Sequence, residues 1–262
     1  MSVKSESPTP GASTSQQPVK KKPETPGFFS FENLRSLFIL IIAILALRSS
    51  VASPYHVPTA SMEPTIKVGD RLLANKLAYE LKVPFTDITL AKWGTPQRGD
   101  IIVFKYPKDP DIDYVKRVVA VAGDEVQVIG DVLYINGKQQ TRVDAEDKRK
   151  VLDDIVDQKE IKHLYQEDLG GVTHWVMQNI PSARRFTRAD WPPPGAGPYK
   201  VPPHAVFCMG DNRDNSTDSR VWGYVPLDYV RGKAEFIIWS LYTPRDATMP
   251  TFRFDRFGKW LY

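Results

Sequence analysis

The sequence predicts a mostly β protein built from antiparallel sheets and preceded by one apolar N-terminal helix. From residue 53 onward, short apolar runs alternate with glycine, proline and aspartate, and few windows show helical periodicity. Such runs, bounded by turn residues, are typical of strands. The only long apolar run is Leu37–Leu47, near the N-terminus. A chain of 262 residues has room for one large domain, or for a core with an inserted subdomain.

Composition limits the classes of protein that fit. Hydrophobic residues make up 42% of the chain, so most of it should bury a core. The single cysteine, Cys208, excludes an intramolecular disulfide and a cysteine-based zinc site. The net charge is only +4, and apart from Lys20–Lys22 the basic residues are mixed with acidic ones. We therefore expect no nucleic-acid partner, whereas a mildly basic surface is compatible with anionic lipid.

The N-terminal region divides into a polar tail and an apolar segment. Residues 1–30 are rich in Ser, Thr, Pro, Gln and Lys, a composition that predicts a disordered cytoplasmic tail. For residues 31–52 three interpretations compete: a cleavable signal peptide, a buried soluble helix and an uncleaved transmembrane anchor. The apolar run has eleven residues, against about 20 for a typical span, but a terminal arginine such as Arg48 can reach the head groups.

We favour the single-pass anchor. A signal peptide would have an unusually long basic n-region, and a soluble helix would have no polar face. Basic residues are more numerous before the apolar run than after it, so the positive-inside rule places the tail in the cytoplasm. Residues 53–262 would then lie on the outer, periplasmic face of the cytoplasmic (inner) membrane.

The exported region predicts strands joined by tight turns. A hairpin with turn residues at both ends is predicted over residues 125–137. The dense charges of residues 141–170 predict an exposed insertion, and the proline-rich residues 191–198 predict a surface connector. The aromatic and basic residues 252–262 either pack as core or lie against lipid. The other predicted strands are Asp70–Lys76, Ile101–Tyr106, Tyr114–Val121, Ala205–Met209 and Ala234–Leu241.

Ser61 lies in a short turn between two prolines, Pro58 and Pro64. Proline fixes its own φ and favours an extended preceding residue, so this hydroxyl is held on a stiff turn. Such a turn suits a nucleophilic serine, and it equally suits an ordinary surface turn. The choice depends on whether the chain supplies a base.

Lys116 is the candidate base. The four histidines lie in contexts more typical of surface or packing residues, and no G-x-S-x-G motif surrounds Ser61. A lysine can replace histidine if burial lowers its pKa by several units. Lys116 lies in an apolar strand between Val115 and Val118, with Arg117 beside it. A strand lysine whose amine reaches solvent is the alternative.

The polar loop Gly210–Arg220 could brace such a site. Its Asn, Asp, Ser and Thr side chains could also simply satisfy the backbone of the loop itself. The spacing lacks the glutamate that a calcium-binding EF-hand loop has at its twelfth position. We expect neither a metal nor a cofactor.

Four segments in order, PTASMEPT, RGDIIVFKYP, DYVKRVVAVAGD and GDNRDNSTDSRVWGYVP, resemble the conserved boxes of bacterial type I signal peptidases. Together they cover about 50 residues between Pro58 and Pro226. The resemblance implies a membrane-anchored serine endopeptidase that removes signal peptides from exported preproteins. It also implies a catalytic β core, with residues 124–204 as a smaller inserted subdomain.

The resemblance assigns roles to individual residues. Ser61 would be the nucleophile and Lys116 the general base, and the Ser61 N–H and Thr59 hydroxyl would form the oxyanion hole. Threonine at this position adds a methyl group and a stiffer χ1 than serine. Ser216 would hydrogen-bond to the Lys116 amine, and Asp218 and Arg220 would support the loop.

Substrate recognition follows from the same resemblance. The substrate would add as a strand in a cleft whose small pockets prefer Ala-x-Ala before the cut. The residues implied to line this cleft are Tyr55, Val57, Pro58, Asp113 and Val115. Two alternatives stay open: a dedicated Ser-Lys maturation peptidase, of pilin or mitochondrial inner-membrane type, and a non-catalytic membrane-tethered β binding protein.

Overall fold

The computed structural model describes residues 31–86, 88–155, 162–179, 197–243 and 248–261. The predicted tail and most of the proline-rich connector lie outside these ranges. Residues 1–43 and 44–262 form two compact units. In the first unit, the described residues 31–43 are helical.

The first described element is α1, Phe31–Ser50. Its residues from Leu37 to Leu45 are exposed apolar side chains. Glu32 lies in its first turn and Arg48 in its last turn, positions at which each charge is favourable to the helix dipole. Among the helices of the described ranges, none is found that is long and apolar enough to cross a membrane.

The remaining chain is mostly β, as predicted, and its strands pair antiparallel. The main sheet has eight strands in the order β1-β2-β16-β5-β6-β14-β15, with β17 paired to β16. Its strands are β1 Ala52–His56, β2 Asp70–Asn75, β5 Ile101–Tyr106, β6 Asp109–Val121, β14 Ala205–Met209, β15 Val225–Pro226, β16 Val230–Tyr242 and β17 Thr251–Phe252. A short helix, α2 (Ser219–Trp222), and several 3-10 turns connect them.

Strand β6 is longer than predicted and is only partly covered. Its neighbour β5 pairs with it from Asp109 to Arg117, whereas β14 pairs only with residues 117–121. Residues 109–116 of β6 therefore have one edge unpaired by any strand of the described chain. An uncovered edge of this kind can accept an added peptide strand.

Two smaller sheets are built from residues 125–200. One has the order β13-β7-β8-β9 and includes the predicted hairpin, and the other has the order β10-β11-β12. Their strands are β7 Glu125–Ile129, β8 Val132–Ile135, β9 Lys138–Gln139, β10 Arg142–Asp144, β11 Lys162–Asp168, β12 Thr173–Asn179 and β13 Tyr199–Lys200. A separate hairpin pairs β3, Glu80–Lys82, with β4, Thr89–Lys92.

The prediction that residues 141–170 form an exposed face is wrong for part of that segment. Strand β11 buries Lys162 and Glu167, and Glu167 forms a bidentate pair with the buried Arg213. The charge count suggested solvent, but a buried charge is tolerated when it is paired. The Glu167–Arg213 pair attaches the smaller sheet to the polar loop after β14.

The apolar core of the described residues has three clusters, and Val115, in the uncovered half of β6, packs against one of them. This cluster contains Val57, Met62, Ile66, Leu72, Ala74, Ile101, Val103, Ala234, Ile237 and Leu261. Tyr55 and Val115 pack against it. The segment that leads to Ser61 and the segment that leads to Lys116 therefore pack on the same cluster. This shared packing limits the motion of the two segments relative to each other.

Candidate active site

The turn that carries Ser61 is fastened to the polar loop by backbone hydrogen bonds. The Asn212 N–H donates to the Ser61 carbonyl oxygen at 3.2 Å, and its side-chain amide donates to the Ala60 carbonyl oxygen at 3.1 Å. A Cβ at Gly210 would lie 2.4 Å from the Ser61 carbonyl oxygen, so only glycine permits this approach. Ser61 is 8% exposed.

Lys116 reaches Ser61 from β6. Its Nζ lies 2.6 Å from Ser61 Oγ and 3.0 Å from the Val115 carbonyl oxygen. The amine also lies 5.3 Å from the centre of the Tyr114 ring. Lys116 is 3% exposed, which excludes the alternative of an amine that reaches solvent. Fifty-five residues of sequence separate the two side chains that meet here.

Burial lowers the pKa of Lys116 from its usual value of 10.5 to about 8. Loss of hydration is the largest cause, and the Arg220 charge lowers the pKa further. The charge of Asp218 opposes this effect, as do Cys208 and Asp211 more weakly. With this pKa, roughly a tenth of the amine is neutral at pH 7 and can accept a proton.

Thr59 lies on the same side of Ser61 as the cleft. Its Oγ1 is 3.5 Å from Ser61 Oγ, and both residues line the same cavity. The side-chain rotamer of Thr59 therefore turns its hydroxyl toward the Ser61 side chain. A hydroxyl here is positioned to donate to an oxygen bound at Ser61.

The supporting loop differs from the predicted arrangement at one contact. Ser216 Oγ is buried but makes no hydrogen bond to the Lys116 amine, whose bonds are to Ser61 and Val115. Instead, Ser216 lies by the Asp218 carboxylate and contributes to lowering its pKa, although burial opposes this and Arg220 lowers it more. A Cβ at Gly210 would lie 2.3 Å from Ser216 Oγ, so the loop is tightly packed there.

Asp218 and Arg220 form the predicted pair. Arg220 Nε donates to Asp218 Oδ1 at 2.9 Å, and Nη2 donates to Oδ2 at 2.8 Å. The Gly210 N–H also donates to Asp218 Oδ2, at 3.0 Å. Arg220 Nη2 continues to the Arg213 carbonyl oxygen at 2.5 Å. The carboxylate thus holds both ends of the polar loop.

A further buried pair, Arg117 with Asp211, was not predicted from the sequence. Arg117 Nε and Nη2 donate to the two oxygens of Asp211 at 2.9 and 2.8 Å, and Nη1 donates to the Gly99 carbonyl oxygen at 2.8 Å. Both side chains are about 1% exposed. Alternation along β6 would have placed Arg117 opposite Lys116, but its partner lies 94 residues away and could not be read from the sequence.

A cavity of about 360 Å³ opens beside the Ser61–Lys116 pair. All five residues predicted for substrate contact line it: Tyr55, Val57, Pro58, Asp113 and Val115. The cavity is also lined by His56 and Tyr114, which belong to the same predicted strand segments, and by Leu72, Val103, Ile112, Asn215 and Thr217. Leu72 lies there because it pairs with Tyr55 across β1 and β2, a register that the structure supplies.

The buried histidine is not the base of this site. His174 is packed among charged side chains and lies 3.6 Å from Glu167. Burial, the largest cause, lowers its pKa to about 4. His56 lines the cavity, whereas Ser61 Oγ contacts Lys116 and Thr59. Lysine is therefore the base that the geometry offers.

Comparison with known proteins agrees with this class of site. Residues 30–239 match the family described as signal peptidase, peptidase S26. The chain belongs to this family.

Among curated relatives, signal peptidase I of Pseudomonas fluorescens is 37% identical over 230 residues, covering 83% of this chain and 75% of its own. Signal peptidase I of Aquifex aeolicus is 38% identical over 229 residues, covering 78% and 82%. A solved signal peptidase I from Enterococcus faecalis is 25% identical and covers 53% of this chain and 95% of its own. Its TM-score of 0.29 is too low to carry an argument.

Proposed function

We propose that this chain cleaves signal peptides from exported preproteins as a signal peptidase I, with Ser61 as nucleophile and Lys116 as general base. Family membership makes it a serine endopeptidase of this class. The observation that supports the residue roles is the buried 2.6 Å contact between Lys116 Nζ and Ser61 Oγ. Nucleophile and base within hydrogen-bond reach are the signature of covalent catalysis.

In the proposed acylation step, the neutral Lys116 amine accepts the proton of Ser61 Oγ. The oxygen attacks the scissile carbonyl carbon, and the tetrahedral intermediate forms with its negative charge on the former carbonyl oxygen. The Lys116 ammonium then gives its proton to the leaving nitrogen as the C–N bond breaks. The amine thus acts as base and as acid, which requires a pKa near the working pH. Its value of about 8 meets this requirement.

The oxyanion and the second half-reaction use the same groups. The Ser61 N–H and the Thr59 hydroxyl would stabilise the oxyanion, and one such donor contributes roughly 2.7–4 kcal/mol. Water then attacks the acyl-enzyme while Lys116 again accepts a proton. Lys116 returns this proton to Ser61 Oγ as the acyl C–O bond breaks, which releases the carboxylic acid and restores the starting state. The pair Asp218–Arg220 positions the loop, and its charges also act on the pKa of Lys116.

The substrate is proposed to bind as a strand along the uncovered half of β6. Residues 113–115 supply one edge, and residues 55–58 approach from β1. Val57, Val115 and Leu72 make this side of the cavity apolar and close to the main chain. Small side chains before the cut fit such a wall, which supports selection of Ala-x-Ala. Preproteins with bulky residues there are excluded by overlap.

Hydrolysis of a synthetic signal peptide tests the reaction. The full chain, in neutral detergent, should cut once after an Ala-x-Ala sequence, as read by mass spectrometry. A matched peptide with Phe at the residue before the cut should stay intact, and so should the first peptide incubated with Ser61→Ala. Cleavage by a folded Ser61→Ala protein at the wild-type rate would refute the proposal. Profiling small residues across many preproteins would separate a general from a dedicated enzyme.

We further propose that α1 anchors the chain in the cytoplasmic membrane with residues 53–262 on the outer face. The apolar side chains from Leu37 to Leu45 are each 42–64% exposed, apart from alanine. The 20 residues of α1 rise about 30 Å, but the helix as a whole is less apolar than a typical span. The proposal therefore requires that terminal residues such as Arg48 reach the head groups. Lys20–Lys22 and Arg35 precede the apolar run, which supports a cytoplasmic N-terminus.

The C-terminal segment is proposed as an additional lipid contact. Phe254, Phe257 and Trp260 are exposed, whereas Arg253, Arg256 and Leu261 are buried. Neither sequence alternative describes this segment alone, since one side of it packs and the other presents aromatics. Exposed aromatic rings are suited to the interface between lipid and water.

Flotation with vesicles tests both membrane proposals. The full chain should float with lipid after a salt or carbonate wash. The triple variant Phe254→Ser/Phe257→Ser/Trp260→Ser should still float, because α1 remains. Relative to wild type, its cleavage rate should fall more on a vesicle-bound preprotein than on a soluble peptide. A full chain that carbonate strips from vesicles would refute the anchor.

A further inference from the structure

A second cavity, of about 320 Å³, lies immediately after α1 and shares no residue with the catalytic cleft. Its walls come from the end of α1, the turn after β2, the β3–β4 hairpin and the start of β16. It is lined by Ser49, Ser50, Lys76, Glu80, Lys82, Phe85, Thr86 and Arg231. The proposed reaction gives this cavity no role.

The cavity carries an excess of positive charge. Lys76, Lys82 and Arg231 face a single carboxylate, Glu80. That carboxylate is already occupied: Oε1 pairs with Lys82 Nζ at 2.9 Å, and Oε2 accepts from Thr89 Oγ1 at 2.9 Å. The charge of Lys76 is therefore not balanced by Glu80, whose two oxygens both have other partners.

The cations lie close enough to affect one another. The pKa of Lys76 is lowered, first by burial and then by Arg231, with smaller effects from Lys82 and Arg48. Asp113, which lines the catalytic cleft, acts in the opposite direction and forms an ion pair with Arg231 at 3.6 Å. An anion placed between these cations would relieve their repulsion.

Two serine hydroxyls add neutral donors. Ser49 Oγ accepts from the Phe85 N–H at 2.7 Å, which leaves its own proton available to donate. Ser50 Oγ is more than nine-tenths buried and has no hydrogen-bond partner in the described chain. Lys76 Nζ uses one proton on the Ser49 carbonyl oxygen at 2.9 Å and keeps two. Ammonium, guanidinium and hydroxyl donors together match a tetrahedral group of oxygen atoms.

We propose that this cavity binds a phosphate group, and that its source is the head group of an anionic phospholipid. The apolar run of α1 ends at Leu47, two residues before Ser49, so an anchored helix brings the cavity to head-group depth. The lipid source rests on the proposed anchoring, whereas the phosphate chemistry does not. Inorganic phosphate is the competing source.

Binding of lipid to the full chain in neutral maltoside detergent tests the source. With phosphatidylglycerol and phosphatidylcholine supplied equally, native mass spectrometry should show phosphatidylglycerol retained in preference. Lys76→Gln/Lys82→Gln should weaken this retention roughly five-fold for each cation removed. Lys138→Gln/Lys200→Gln, which removes two exposed lysines elsewhere, is the matched control and should behave as wild type. Lys76→Arg should retain the preference, since the charge is kept.

Calorimetry with inorganic phosphate in lipid-free detergent forms the second arm. Binding that the Lys76/Lys82 variant loses, without any preference for phosphatidylglycerol, would assign the site to free phosphate and overturn the lipid source. Equal behaviour of the two double variants in both arms would overturn the inference altogether. Thermal unfolding of each variant shows whether a loss of binding is due to misfolding. If Lys76→Gln/Lys82→Gln is misfolded, Ser50→Val replaces it as the variant that should weaken binding.

Peptide cleavage by the same preparations is recorded separately. A wild-type chain that cleaves its peptide but shows no site-dependent phosphate binding would refute this inference and leave the proposed function standing. A chain that binds phosphate through Lys76 but does not cleave the peptide would support this inference and refute the proposed function.

Discussion

Lys116 and Arg117 are neighbours on β6, and both are buried cations, but their surroundings differ. On one face of the strand, Lys116 contacts a serine hydroxyl and a carbonyl oxygen, with no carboxylate in contact. On the other face, Arg117 forms a bidentate pair with Asp211. Burial without a paired charge lowers a pKa and makes an amine basic, whereas burial with a paired charge makes a structural brace.

The comparison extends to the elements behind each residue. The Lys116 face is backed by an apolar cluster and opens into the cleft. The Arg117 side is continued by the ionic pair Arg213–Glu167, which connects β11 with the polar loop, and Arg220–Asp218 forms a pair within that loop. These ionic pairs hold the polar loop in place, and Asn212 of that loop holds the Ser61 turn by hydrogen bonds.

The largest expected effect is the loss of activity when the residues on the Lys116 face of β6 are changed. Ser61→Ala and Lys116→Ala should each lower kcat at least 10⁴-fold, because nucleophile and base act as a unit. Peptide hydrolysis at saturating substrate measures this. Lys108→Ala, an exposed lysine in the turn before β6, should retain full activity. Full activity in a well-folded Lys116→Ala protein would refute the dyad.

The next effect is a difference in the free energy of unfolding between variants on the Arg117 face and on the Lys116 face of β6. Arg117→Met leaves Asp211 buried without its partner and should lower the free energy of unfolding by about 3–5 kcal/mol. Lys116→Met should not lower it, since it removes an amine whose charge burial disfavours. Denaturant unfolding of the full chain in the same detergent measures both. Equal losses in the two variants would show that the faces do not differ as proposed.

Thr59 sharpens the chemistry on the catalytic side. Thr59→Val keeps the shape but removes the hydroxyl, and should lower kcat by about 10²–10³-fold with little change in KM. Thr59→Ser restores the donor and should recover most of the rate. Steady-state kinetics on one peptide distinguishes the three proteins. A valine variant with wild-type kcat would remove Thr59 from the oxyanion hole.

The smallest expected effects are changes with pH. The acid limb of kcat/KM should follow the pKa of about 8 of Lys116, because the rate needs the neutral amine. Asp218→Asn removes a charge that raises this pKa, so the limb should move to lower pH. The exposed Asp228→Asn should leave it unchanged. A limb that Asp218→Asn moves upward would contradict the electrostatic assignment.

The same shift affects stability with a definite sign. The folded state binds the Lys116 proton less tightly than the unfolded state, so the cost of about 3 kcal/mol is present below pH 8. This cost decreases between pH 8 and 10.5. The stability of wild type relative to Lys116→Met should therefore rise across that interval, as denaturant unfolding at several pH values would show.

Much of this protein was readable from its sequence because the deciding signals are local. Turn residues and β-branched runs predicted the strands at Asp70, Ile101, Glu125 and Ala205 within a few residues. The strand β11 was missed, because its charges are satisfied by a partner that is distant in sequence. The ordered boxes led to the family, and the apolar surroundings of Lys116 pointed to a base.

Tertiary structure decided the contacts. Ser61 and Lys116 meet only because β6 brings its uncovered half to the turn after β1, across fifty-five residues of chain. The partner of Arg117, the absence of a Ser216–Lys116 bond and the basic cavity after α1 depend on long-range packing in the same way. Residue type and spacing determine which chemistry a chain can perform. Burial and charge pairing, which arise on folding, decide which of two adjacent cations becomes a base.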